Sequence, residues 1–337
     1  MTERLGWAVV GAGRRAVEVM IPALTASPLS RLIGVCGSSA DQARKAAAAW
    51  PELEVFETLS EAVKDPRVEA VYISTPHYLH VPHAVQSIEA EKHVFIEAPL
   101  ALSVDGANKI VEKARKRGIK VGIAFQRRFH PALARLRELI EDDEIGELRH
   151  LSARFCDPPF HPTGWWSDES RAGPNTFLRS GIHALDLLAW LKGQEIAEVA
   201  ALATEAGDPP VNTACSLIMR FPDQTTALAL TASDCGEPGQ ALDLEGSRGR
   251  IKLEGDLSGA DSALLAVTRQ GKTETIEFEP DDSVGRMIDA FTLAVQKDQL
   301  FSPDACEGLA IVRAACAAIE AMKARRVVRV GEILRLV

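Results

Sequence analysis

The chain has 337 residues, 46% of them apolar and 25% charged, enough to build two ordinary domain cores. A formal charge of −9 argues against nucleic acid or an anionic membrane surface as a partner, and no apolar run approaches the length of a membrane span. The six cysteines are scattered without a Cys-x-x-Cys pair, and the N-terminus runs straight into the first predicted strand. The expectation is a cytoplasmic protein with reduced thiols and no signal peptide.

That first strand, residues 5–10, stops at Gly11-Ala12-Gly13, where a helical pattern starts at once. Gly11 permits a tight turn, and Gly13 has no Cβ, so backbone N–H groups can approach a pyrophosphate; Ala16 is small enough for the helix to pack on the strand. The helix start, which carries Arg14 and Arg15, offers free N–H donors and a positive dipole end to the phosphates. The glycine pattern alone fits a ligand-free turn equally well. Its place between a strand and a helix favours a dinucleotide.

Residues 31–36 read as a second parallel strand. In a site that prefers NAD, an acid at its end takes the ribose 2′-hydroxyl. Here Cys36-Gly37-Ser38-Ser39 follows, and the first acid is Asp41. Ser38 and Ser39 can donate to a 2′-phosphate, and Arg14, Arg15 and Arg44 can supply charge. The reading is NADP, with NAD as second choice. Serine is also a good N-cap, and a plain cap on the predicted helix 41–50 is compatible with either.

The alternation continues through strand 54–56, helix 59–64, and strand 68–74 with Thr75-Pro76-His77-Tyr78-Leu79-His80 after it. Helix 81–90 follows, then strand 93–96 running into Glu97-Ala98-Pro99-Leu100, helix 104–117 and strand 119–124. This predicts a right-handed, doubly wound parallel sheet that binds ligands beyond the C-terminal ends of its strands. His77, His80 and His83 recur every third residue, but they begin in a turn with no thiol or carboxylate among them, so no metal is expected.

The second half differs. After helix 131–141, period-two segments recur at 148–155, 196–204, 213–221, 225–233, 241–245, 250–253, 264–269 and 273–278. They predict a large, mostly antiparallel sheet with one face free to pack on something. A loop, 157–175, and a helix, 181–191, separate the first two of these strands. Helices 287–296 and 304–323 close the pattern. The fold class is therefore α/β followed by α+β.

The chain resembles the glucose-fructose oxidoreductase / inositol dehydrogenase / MocA family over essentially its full length. The resemblance rests on Gly11-Ala12-Gly13-x-x-Ala16, Thr75-Pro76-x-x-x-His80, Lys92-His-Val-Phe-Ile-Glu97-Ala98-Pro99-Leu100, Arg128-Phe129, Ile145-Gly146-Glu147 and Gly181-Ile-His183-Ala-Leu-Asp186. It implies a Rossmann domain at 1–124 and a substrate-binding, oligomerising domain at 125–337 with an open-faced sheet, helix 304–323 being a candidate to pack back towards the first domain. It further implies a nicotinamide cofactor near Thr75, Pro76, His80, Glu97 and Ala98, a sugar, polyol or related carbonyl substrate held between the domains, and a homodimer or homotetramer paired through the sheet.

Two departures fall on the chemistry. The family pattern has lysine where this chain has Ala98, and usually aspartate where it has Arg179. Of the usual set only His183 remains. It can move a proton near neutral pH, with Asp186 one turn on to orient its ring; the alternative is a helix turn packed on the core. Arg179 fits either a substrate carboxylate or phosphate, or a structural ion pair with Asp186, Glu97 or Asp168. Tyr78 is a proton donor or a packing residue, and Trp165-Trp166 a cover for a ring or a satellite cluster. Of Arg127 and Arg128, one faces the crevice on this reading. The expected activity is hydride transfer with an atypical proton donor. The alternatives are a catalytically silent cofactor- or sugar-binding regulator and a glycoside-cleaving relative with bound NAD.

Overall fold

The computed structural model describes residues 4–174, 177–206, 211–233 and 235–333. The chain divides into two compact units, one made of 1–124 and 284–309, the other of 125–283 and 310–337. The second boundary differs from a single cut after 124: the chain returns to the first unit, and the physical reason is aromatic packing described below.

Unit 1 opens with β1 (Leu5–Val10), every residue of which is buried, as expected of a central parallel strand covered on both faces. Then come α1 (Ile21–Ala26), β2 (Ser30–Cys36), α2 (Ala40–Ala47), β3 (Glu54–Phe56), α3 (Leu59–Lys64), β4 (Ala70–Ile73), α4 (His80–Glu89), β5 (His93–Ile96), α5 (Val104–Arg117) and β6 (Val121–Ile123). The strands form one parallel sheet in the order β3-β2-β1-β4-β5-β6. Strand order reverses between β1 and β4, and such a reversal opens a crevice at the C-terminal strand ends.

The predicted helix after Gly13 is not uniform. Residues Ala16–Met20 form a π-helical stretch, with Ile21 N–H donating to Ala16 O. Pro22 stands in the first turn of α1 and has no N–H to donate. The ladder widens just ahead of it.

In unit 2, α6 (Pro131–Glu141) precedes β7 (Leu148–Cys156), α7 (Glu169–Ala172) and α8 (Ile182–Lys192). The remaining strands are β8 (Glu198–Ala206), β9 (Val211–Arg220), β10 (Thr226–Ala232), β11 (Gly239–Gly246), β12 (Gly249–Gly255), β13 (Ala263–Arg269) and β14 (Lys272–Phe278). After α9 (Ser283–Gln296) and α10 (Ala305–Ala324) comes a two-residue β15 (Val328–Arg329), too short for any periodicity to announce.

The nine strands run β14-β13-β12-β11-β7-β10-β9-β8-β15. Every pairing is antiparallel except β7 with β10. Helix α8 packs on β7 and β10, and α6 on β12 and β13, which covers one face. The alternation of buried and exposed residues along β10 shows that the other face is open.

Residues from α9 complete the core of unit 1. Phe291 lies 5.6 Å from Trp7 and 4.9 Å from Phe95, centroid to centroid, and Phe301 stands edge-on to it at 5.1 Å. The Ser27 hydroxyl donates to Asp289, and Ser30 meets Thr292. All six cysteines are free thiols. No helix among the described residues is long and apolar enough to cross a membrane.

Candidate active site

Gly11 has φ +103° and donates its N–H to Cys36 O at 2.8 Å. A Cβ there would stand 2.4 Å from Ser74 O and 2.8 Å from Thr75 N, so only glycine lets β1 turn between the ends of β2 and β4. Gly13 is the opposite case: a Cβ would meet nothing within 4 Å. It faces the open cradle at the helix start, where first-turn N–H groups have no intrahelical acceptor. Ala12 and Ala16 are buried beside it. These residues fit a dinucleotide pyrophosphate: close backbone, open space and unspent donors.

The surrounding charges are distributed less freely than the sequence suggests. Arg14 is exposed and pairs with Glu18 at 2.7 Å. Arg15 Nε donates to Glu97 Oε1 at 2.9 Å, and the hydroxyl of Tyr72 donates to the same oxygen. Tyr72 is fully buried in β4. Burial, then the Glu97 carboxylate, pushes its pKa well above the ordinary phenol value. This Arg15–Glu97–Tyr72 cluster ties the glycine turn to the ends of β4 and β5. Tyr72 was missed because it lies inside an apolar run. The available signal was that a buried phenol hydroxyl needs a partner.

Ser38 and Ser39 are exposed. Ser39 accepts from Gln42 N as the N-cap of α2, and Ser38 donates to the Gln42 side chain through both N and Oγ at 2.8 Å. Arg44 pairs with Asp41. No acidic residue closes β2.

Past β4, Thr75 Oγ1 lies 3.2 Å from His83 Nδ1. His80 is wholly buried, with Nδ1 2.7 Å from Pro99 O and Nε2 3.0 Å from Thr75 O. A neutral imidazole can donate to only one of two carbonyls. Burial nevertheless draws its pKa below the ordinary value, against the two carbonyls. His80 therefore bridges the segment after β4 and the segment after β5, rather than presenting a free nitrogen. Pro76 precedes a short 3-10 turn and Tyr78 is 42% exposed. Ala98 is half-buried and offers no ionisable group.

In unit 2, α8 brings His183 and Asp186 onto neighbouring turns. His183 is half-buried, its ring edge-on to Phe125 at 5.7 Å. Asp186 is buried and accepts from Arg128, with Nη2 at 2.6 Å and Nε at 3.1 Å. Arg128 Cζ also lies 5.9 Å from the Phe125 ring and 5.7 Å from Trp190. Arg128, one of the two arginines expected to face the crevice, is thus the ion partner of Asp186, a pairing that the spacing of the two residues does not reveal.

Arg127 lies over Phe155 at 5.0 Å. Arg179 sits in a π-helical stretch, Phe177–Gly181, and stacks over Phe160 at 4.4 Å. None of the three carboxylates considered for it is its ion partner: Asp168 pairs with Arg171, Asp186 with Arg128 and Glu97 with Arg15. Trp165 and Trp166 stack at 4.2 Å.

Residues 5–125 match the family model described as the oxidoreductase family, NAD-binding Rossmann fold, and residues 133–252 match the GFO/IDH/MocA C-terminal domain. The chain is 24% identical to the D-xylose 1-dehydrogenase [NADP(+)] of Haloarcula marismortui, over 96% of this chain and 92% of that one. It is 30% identical to the 1,5-anhydro-D-fructose reductase of Ensifer adhaerens, over 60% of each. Matched segments span between 49% and 92% of the curated relatives' own length. Among solved structures, a 3-ketoreductase from Actinomadura kijaniata, crystallised with NADP and TDP-benzene, superposes with a TM-score of 0.86 at 21% identity, over 95% of this chain and 98% of that one. The chain belongs to the GFO/IDH/MocA family of NAD(P)-dependent oxidoreductases.

Proposed function

We propose that the protein reduces a carbonyl or imine carbon of a sugar-like or keto substrate with NADPH, and that His183 supplies the proton. The reading is supported in unit 1 by an open cradle at Gly13 and by an Ala98 that has nothing to ionise, and in unit 2 by a half-buried imidazole on α8. When bound, the reduced nicotinamide supplies the hydride. Backbone N–H groups from Gly11 to Ala16 would hold the pyrophosphate, and Arg14, Ser38 and Ser39 would hold the 2′-phosphate. The absence of an acid at the end of β2 supports NADP over NAD. His80 bridges Thr75 and Pro99 and Glu97 anchors Arg15 and Tyr72; these segments would hold the nicotinamide. His183 would deliver the proton to the carbonyl oxygen or the imine nitrogen. A positioned general acid accelerates such a step by roughly 10²–10⁴-fold.

The test is stopped-flow NADPH oxidation over a panel of keto-sugars, keto acids and cyclic imines. Turnover with at least one substrate, lowered ~10²-fold or more in His183→Asn, is the expected result. No turnover above background with any of them sinks the reading.

The open sheet face supports assembly with a second copy. Leu202, Ile218, Leu228 and Leu230 share one face of the adjacent strands β8, β9 and β10 and are each at least 39% exposed, and contiguous apolar surface of this kind marks an interaction site. Pairing through this face gives the homodimer, or with a second contact the homotetramer. Light scattering of Ile218→Lys/Leu228→Lys should report a smaller particle than the wild type, and an unchanged mass would discard this face.

A further inference from the structure

We infer that Arg179 binds an oxyanion on the substrate, so that the molecule taken up is a sugar-like carbonyl compound carrying a carboxylate or a phosphate. This rests on the oxidoreductase reading above and narrows its substrate class.

Arg179 lies in the π-helical stretch that leads into α8. Such turns are rare and concentrate at functional sites. His183 follows four residues later, in the first turn of α8. The guanidinium is half-buried, with one face against Phe160. Its Nη1 is buried and has no hydrogen-bond partner among the described residues.

The planar fork of a guanidinium matches two oxygens of a carboxylate or phosphate. A buried donor without an acceptor is costly. No ion pair joins it to a carboxylate among the described residues, and three nearby ones are engaged elsewhere. Asp157 takes the Ser180 hydroxyl, Asp168 takes Arg171 and the Ser170 hydroxyl, and Asp186 takes Arg128. The unmet demand is therefore for negative charge from outside the chain. Phe160 stands edge-on to Trp166, which stacks on Trp165. An apolar wall beside a charged fork suits a molecule with a C–H face and an anionic end.

Calorimetry on the full chain, with and without NADPH, tests this with D-glucuronate, D-glucose 6-phosphate and D-glucose. At least one anionic sugar should bind tenfold or more tightly than glucose; which one it is separates carboxylate from phosphate. Arg179→Gln should erase the preference and Arg179→Lys should keep part of it, with the melting temperature of both variants matching the wild type. No preference for either anion in the wild type, or a preference that survives in Arg179→Gln, overturns the inference. NADPH binding, read separately by nicotinamide fluorescence, tells the two failures apart. If wild-type protein binds NADPH but shows no anion preference, only the substrate class falls. If it does not bind NADPH, both fall.

Discussion

Arg128 and Asp186 form a buried ion pair inside unit 2, their side chains 6% and 1% exposed, with the guanidinium reaching both carboxylate oxygens. The bond joins the turn after β6 to α8, the helix that also carries His183. Removing one partner leaves an uncompensated buried charge, which costs about 3–5 kcal/mol. Asp186→Leu should therefore lower stability to urea by that order. The double variant Arg128→Met/Asp186→Leu should recover most of the loss, because two apolar side chains can replace a buried pair at little net cost. If the single variant lost under about 1 kcal/mol, the pair would be no more than a surface-type contact.

Gly11 and Gly13 stand two residues apart and should respond in opposite ways. Gly11→Ala puts a Cβ into Ser74 O at a positive φ, so the glycine turn is strained and unit 1 should lose stability by about 1–3 kcal/mol. Gly13→Glu adds a side chain to open space and should melt with the wild type, while its carboxylate and bulk displace the pyrophosphate. Thermal melts with and without NADPH separate the two. Wild-type NADPH stabilisation in Gly13→Glu would show that the cradle is not where phosphates bind.

Tyr72 should not ionise where phenols ordinarily do. Burial and the Glu97 carboxylate both raise its pKa, so the folded protein holds the proton longer than the unfolded chain, and stability should fall as pH climbs past about 10. The chain has two tyrosines. Alkaline difference absorbance near 295 nm should recover one tyrosinate fewer in the native protein than in urea. Glu97→Ala should restore part of the missing signal and cost about 1–3 kcal/mol for the orphaned hydroxyl. Full tyrosinate recovery in the native wild type would remove Tyr72 from the cluster.

Much of the fold was written in periodicity. The strands of unit 1 were legible because a parallel sheet buried on both faces demands unbroken apolar runs between helices, and those of unit 2 because an open face enforces alternation. What periodicity could not express was partnership over long sequence separations. Phe291 belongs with Trp7 and Phe95 through ring packing, so the true unit boundary falls in the middle of an apparently continuous second half. The parallel contact of β7 with β10 depends on strand order, which local pattern does not encode. At the site, Gly11, Gly13 and Ala16 were readable because backbone geometry constrains residue type. Arg15, Arg128 and Asp186 were singled out, but their mutual partners were not, since any of several opposite charges would have satisfied the same composition.

One buried and two half-buried histidines should make the protein acid-sensitive from just below neutrality. His80, His83 and His93 are all held below the ordinary imidazole pKa, by burial first and then, for the latter two, by His80 and Lys120 respectively. At pH values between the lowered folded pKa and about 6.5, the unfolded chain binds protons that the folded one refuses, so stability rises with pH across that window and is lost as pH falls through it. Each such proton contributes a slope of up to about 1.4 kcal/mol per pH unit. Urea midpoints at pH 7.5 and 5.5 should differ clearly, and His80→Gln should flatten the dependence by about one proton while also weakening the Thr75–Pro99 bridge. An unchanged pH slope in that variant would mean that His80 already carries its proton when folded, shared between the two carbonyls.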